Sequence, residues 1–240
     1  MKKLTKLSLL AALLLGSTLA NAESLHYNGF YLGPKAGGTF QSGNYSSFDT
    51  AHTNDVHGAK HSGGASFVGG LNFGYGYEMS NNYYLGFDGS VLFHTLNNEL
   101  RVSSAADGSG NVQPAAKLKN NALYSMAMQV GYKLASGVMP YVSLGLTSGK
   151  YEIHLKQEGA ARRGLAVGEH RFSKNMVSFV PGVGMKGKFS PDMRSWTWAV
   201  QYDYMVGKTF SKQFTASEQT WQYEYKPKQH SLSLALAYQF

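Results

Sequence analysis

The 240-residue chain holds 28 glycines, 16 tyrosines and 13 phenylalanines, with only 15% charged residues, six prolines and no cysteine. Without cysteine a small disulfide-stapled fold is excluded, so an exported chain of this kind must draw its stability from a backbone ladder and its surroundings. The formal charge of +8 is a modest basic excess that suits anionic surfaces better than dedicated nucleic-acid binding, and the length allows one all-β domain.

At the start, Lys2, Lys3 and Lys6 lead an apolar run through Leu15, followed by Ala20-Asn21-Ala22. A basic start, a short apolar stretch and an A-x-A site read as a secretory signal peptide over residues 1–22, too short to span a membrane as a helix. Cleavage after Ala22 leaves a mature chain from Glu23 whose charge falls to +5, because those three lysines leave with the leader. No later run reaches about 18 apolar residues, so no transmembrane helix is expected. A secreted chain rarely meets nucleic acid, and no such partner is expected.

The mature chain then alternates large apolar with small or polar residues eight times, the period of two that marks a β-strand. The first strand sets Phe30, Leu32, Pro34, Ala36 and Phe40 against Tyr31, Lys35, Gly37 and Thr39. Pro34 lacks an N–H, so a local defect or bulge is expected there. The second sets Phe67, Leu71, Phe73, Tyr75 and Tyr77 against Asn72, Gly74, Gly76 and Glu78; the third sets Tyr83, Leu85, Phe87, Val91 and Phe93 against Tyr84, Gly86, Asp88, Ser90 and His94. In the fourth, Tyr124, Met126, Met128, Val130, Tyr132 and Leu134 oppose Ser125, Ala127, Gln129 and Lys133. The fifth opposes Val142, Leu144 and Leu146 to Tyr141, Ser143 and Thr147. In the sixth, Val177, Phe179, Val183, Met185 and Phe189 face away from Ser178, Gly182, Gly184 and Lys186. Trp196, Trp198, Val200, Tyr202, Tyr204 and Val206 face away from Thr197, Gln201 and Asp203 in the seventh. The eighth, His230 to Phe240, sets Leu232, Leu234, Leu236, Tyr238 and Phe240 against Ser231, Ser233, Ala235, Ala237 and Gln239.

Each strand has about the 9–11 residues that cross a bilayer at a tilt. Short turns near Asn81, Ser136 and Pro191 alternate with long polar connections near 41–65, 95–121, 149–174 and 207–229. That rhythm predicts an all-β fold: an eight-stranded antiparallel up-and-down transmembrane β-barrel over residues 23–240, with tight periplasmic turns and four long extracellular loops. A soluble lipocalin-like barrel would turn its apolar face inward. Here that face is bulky and aromatic, and eight strands leave an interior just wide enough for side chains, so the small polar face must line the lumen.

The residues Gly29-Phe30-Tyr31-Leu32-Gly33, Phe73-Gly74-Tyr75-Gly76-Tyr77 and Ala237-Tyr238-Gln239-Phe240 resemble the opacity-protein and porin-like eight-stranded barrel superfamily, similar in build to the transmembrane domain of outer membrane protein A. The resemblance spans essentially the whole mature chain, and no further domain is expected after the barrel. It implies a cell outer membrane location and partners in outer-membrane lipid and lipopolysaccharide. It also implies that Tyr238 and Phe240 are read as a C-terminal insertion signal by the barrel-assembly machinery.

Six inward charges, Lys35, Glu78, Asp88, Lys133, Lys186 and Asp203, must be paired or hydrated in a narrow lumen. They predict a salt-bridge plug, or else a gated pore in which Lys35 exchanges between Asp88 and Asp203. The pairs His61-Ser62 and His230-Ser231 do not make a nucleophile and base: His230 and Ser231, as neighbours on a strand, point to opposite faces, and His61 lies in a Gly-rich loop with nothing to hold it rigid; no catalytic residue is assigned. His52, His57 and His61 with Asp49 and Asp55 match no ordered metal-ligand set, and neither metal nor cofactor is expected. The third long connection gathers Lys156, Arg162, Arg163, Arg171 and Lys174, a basic patch suited to lipopolysaccharide phosphates or to a host surface ligand carrying sulfate or sialic acid. The expected role is a non-enzymatic surface or adhesin-like protein, with a narrow low-conductance porin for small solutes as the alternative.

Overall fold

The structure, a computed structural model, describes residues 27–49, 56–94, 97–101, 114–157, 169–189, 195–216 and 219–240. The signal-peptide segment 1–22 and the turn at Ser190-Pro191-Asp192 lie outside the described residues. Ten strands follow in order: β1 Gly29–Asp49, β2 Val56–Glu78, β3 Tyr83–His94, β4 Asn97–Arg101, β5 Pro114–Tyr132, β6 Met139–Gln157, β7 Glu169–Lys188, β8 Trp196–Val206, β9 Phe210–Ala216 and β10 Gln219–Gln239.

All pairings are antiparallel, in the order β1-β2-β3-β5-β6-β7-β8-β10, and β10 closes the ring onto β1. Closure leaves no strand edge facing lipid, where an unpaired N–H or C=O has no partner. The expected eight-stranded barrel is the observed one. Its outward face carries the predicted apolar residues, with Phe30 67% and Phe240 74% exposed. At the periplasmic end the rings lock edge to face: Phe30–Tyr75 at 4.9 Å, Tyr83–Tyr132 at 5.4 Å, Trp196–Tyr238 at 5.6 Å and Tyr238–Phe240 at 5.2 Å between centroids. Such T-shaped pairs suit aromatic quadrupoles and form the lower girdle of a transmembrane barrel. Phe240 is tied in as well, its N–H donating to the Phe30 carbonyl at 2.8 Å.

One expectation on the wall needs correction. Trp198 belongs to the outward row but is 3% exposed; its indole lies over Gly187, its cross-strand partner, covering the backbone that glycine leaves bare. Of the local defect or bulge expected at Pro34, the structure shows the defect, a gap in the ladder. The β1–β10 ladder skips Gly33 and Pro34 and resumes in the same register, because a missing N–H removes hydrogen bonds without adding a residue. Pro181 does the same between β7 and β8, where pairing skips from Phe179–Val206 to Gly182–Asp203.

A larger correction concerns the long connections. Much of residues 41–65, 95–121, 149–174 and 207–229 is strand, not loop. Above the lipid the outward face no longer has to be apolar, so the ladder continues without the alternation that marks it within the membrane. There the wall also divides. β3 and β8 stop at His94 and Val206, and their continuations β4 and β9 pair only with β5 and β10. Among the described residues no strand pairing joins β2 to β4 or β7 to β9. The closed barrel thus rises into two four-stranded ribbons, β9-β10-β1-β2 and β4-β5-β6-β7.

Candidate functional site

Glycines on the inner face make room for tyrosines. Tyr31 lies against Gly74, its register partner. A Cβ on Gly184 would come within 2.5 Å of the Tyr141 ring, and one on Gly86 within 2.6 Å of the Tyr84 ring. Alternating large and small residues across facing strands fills a narrow tube without voids.

The three tyrosines meet around one lysine. Lys186 Nζ lies 4.3 Å from the Tyr84 ring centroid, 5.1 Å from that of Tyr141 and 5.4 Å from that of Tyr31. It donates to Gln129 Oε1 at 2.7 Å and to Tyr84 Oη at 2.9 Å. An ammonium shielded from water is held here by cation–π attraction and two acceptors. Asp88, on the facing wall, accepts from Tyr31 Oη at 2.9 Å.

Above this layer Gln201 bridges the other charges. Its Oε1 accepts from Lys35 Nζ at 3.5 Å and from Tyr141 Oη at 3.2 Å, while its Nε2 donates to Asp203 Oδ1 at 2.6 Å. Below it, at the periplasmic mouth, Glu78 pairs with Lys133 and accepts the Tyr27 N–H at 3.0 Å. Tyr27 is itself pinned by its hydroxyl to the Gly137 carbonyl at 2.6 Å. Burial first, then the Glu78 carboxylate, holds its phenol well above the ordinary tyrosine range.

The six predicted charges do share the lumen, but the expected salt-bridge plug is corrected. Among them only Glu78 and Lys133 form a direct ion pair; an amide stands between Lys35 and Asp203, and an aromatic cage holds Lys186. Buried charges can be satisfied by hydrogen bonds as well as by opposite charge. Lys188, also buried, was legible as the next inward position after Lys186 and belongs with the set. Inward parity was equally plain for Tyr31, Tyr84 and Tyr141; their convergence was not, since it depends on register between four strands.

Among the described residues two small cavities lie along the lumen. One cavity of about 30 Å³ lies beside the cage, lined by Tyr27, Tyr84, Gln129 and Lys186; another of about 60 Å³ lies above it, lined by Thr39, His94, Thr147 and Gln229. Each has room for a few waters. Both nitrogens of His94, Asn72 Oδ1 and Ser143 Oγ are buried without a protein partner, the kind of group that buried water satisfies.

Of the basic patch, Arg162 and Arg163 lie outside the described residues. Register places Lys156 opposite Glu169 and Arg171 opposite His154, on the face that carries Leu146 and Val177, while Lys174 stands opposite Tyr151 on the other face. The structure therefore gathers Lys156 and Arg171 and separates Lys174 from them. His52 and Asp55 lie outside the described residues, and Asp49, His57 and His61 fall on β1 and β2. His230 and Ser231 point apart: His230 Nδ1 bonds Tyr202 Oη at 2.7 Å, whereas Ser231 accepts from Gln229 at 3.1 Å.

Comparison with known proteins gives a consistent picture. The family described as outer membrane protein beta-barrel domain matches residues 8–240. A 31 kDa outer-membrane immunogenic protein of Brucella melitensis, and its counterpart in Brucella suis, are each 28% identical over 140 residues, covering 55% of this chain and 54% of theirs. The chain thus spans about half the length of the curated relatives it matches. Among solved structures, the outer membrane protein OprG of Pseudomonas aeruginosa superposes with a TM-score of 0.56 at 12% identity, covering 90% of this chain and 98% of that one; the likeness is one of fold.

Proposed function

From its membership of the outer membrane protein beta-barrel domain family, we propose that this outer-membrane protein is a non-enzymatic surface barrel with a closed lumen. Its upper ribbons contact anionic partners: lipopolysaccharide phosphates, or sulfated or sialylated host ligands. The observation that carries the reading is the pair of ribbons standing above a filled tube. Among the described residues the lumen cavities beside the cage and above it are water-sized, whereas a partner outside meets extended strands bearing Lys156, Arg171 and Lys174. The family supports the outer-membrane location; export by residues 1–22, and recognition of Tyr238 and Phe240 by the assembly machinery, complete the proposal.

Exposed charges are screened by salt over a Debye length of about 8 Å at physiological ionic strength. Retention of the refolded barrel on a heparin-like polymer should therefore be strong in dilute buffer and fall steeply as salt is raised. Retention that is the same at low and high salt would refute contact through the basic ribbons. Stepwise conductance of the unmodified protein in a planar bilayer would instead support the narrow porin.

A further inference from the structure

An apolar groove of about 500 Å³ is set into the outer wall along the membrane-facing parts of β5 and β6, between Phe87, Val91, Tyr124, Met126, Leu146 and Phe179. It faces lipid, so hydrocarbon must fill it; an empty groove would leave its lining without contact atoms. Just above, the same face changes character. Going up β6 in steps of two, Leu146 and Ser148 give way to Lys150, Glu152 and His154. Register sets Lys119 beside Glu152 and Lys117 beside His154 on one flank, and Arg171 beside His154 on the other.

Four lysine or arginine positions thus stand over the groove, with two acidic positions in those rows, Glu152 on β6 and Glu99 beside Lys117 on β4. Lys150 is exposed, and its 3.3 Å ion pair with Glu152 is of the surface kind that contributes little. A strand rises about 3.3 Å per residue and tilts by about 40°. On those figures Lys150 lies roughly 10 Å above Leu146, the level at which a lipid with its tail in the groove would carry its phosphate.

We propose that this face of β5, β6 and β7 is a binding site for one phosphorylated lipid of the outer leaflet, acyl chain in the groove and phosphate among the basic rows. The two parts act differently. Within lipid the groove selects nothing, since every tail offers similar contacts; it fixes where a tail lies. Selection comes from the cations, each favouring an anionic headgroup about fivefold. The site rests on the barrel and its register, and holds whether or not the ribbons meet a host polymer.

The test is native mass spectrometry of the full chain released from phosphatidylcholine vesicles containing a minor fraction of phosphatidylglycerol, with each variant first shown to be folded by its heat-shifted gel band. We expect one phosphatidylglycerol to stay bound to the unmodified protein in clear preference to phosphatidylcholine. The double variant Lys119→Ser, Lys150→Ser should lower that preference about 25-fold. Leu146→Trp, which fills the groove and keeps every cation, should release the bound lipid. Equal retention of the two lipids, or retention that survives both variants, would overturn the site. Heparin retention measured on the same proteins keeps the two proposals apart: lipid held without polymer upholds the site and refutes contact with a sulfated host polymer.

Discussion

Replacing Lys186 with alanine removes the ammonium that three tyrosine rings and Gln129 hold across the lumen, and joins its space to the neighbouring cavities. Planar-bilayer recording should then show current above the silent baseline, while Lys186→Met, which keeps the bulk, stays silent. Lys35→Ala should also stay silent, because the cage below it is intact; current from Lys35→Ala equal to that from Lys186→Ala would place the barrier at Gln201 instead. At the mouth, Lys133 retains 13% side-chain exposure and Glu78 only 4%. Lys133→Met leaves the Glu78 carboxylate its Tyr27 N–H but takes away its cation, and should lower stability by about 3 kcal/mol in urea titrations of the lipid-embedded barrel. Adding Glu78→Gln should recover most of that loss, since the buried negative charge is gone; no recovery would mean that Lys133 acts by packing.

At the scale of the strand, pairing a glycine with a ring decides what fits inside. Gly184→Ala drives a methyl to 2.5 Å from the Tyr141 ring and 2.7 Å from the Val200 carbonyl, neither of which can yield easily in a closed wall. Overpacking of this kind costs about 1–3 kcal/mol, so the urea midpoint should fall. An unchanged midpoint would show that Tyr141 has room to move. Strands within the membrane were legible because lipid on one side and a narrow tube on the other force alternation at every residue, as in Leu232, Leu234 and Leu236 against Ser231, Ser233 and Ala235. Their continuations were not legible. Segments such as Tyr151 to Gln157, and all of β9, lie above that constraint, and polar residues on both faces read like loop.

Across the whole molecule, closure of β10 onto β1 and the division into two ribbons above the lipid are properties of register, which no single strand reveals. Closure could be inferred, because an open sheet in lipid strands its edges. The division could not, because it turns on where β3 and β8 stop. The lumen was legible as polar and filled, yet its centre is a caged lysine rather than a chain of ion pairs, because Gln129 and Gln201 occupy the places between the charges. The account as a whole requires that Phe73, Leu234 and their rows meet acyl chains, and mobility on a gel after membranes are dissolved with or without boiling tests this most directly. A compact band from the outer-membrane fraction that shifts on boiling is the expected result. A single band unaffected by heat, from protein recovered in the soluble fraction without detergent, would contradict it.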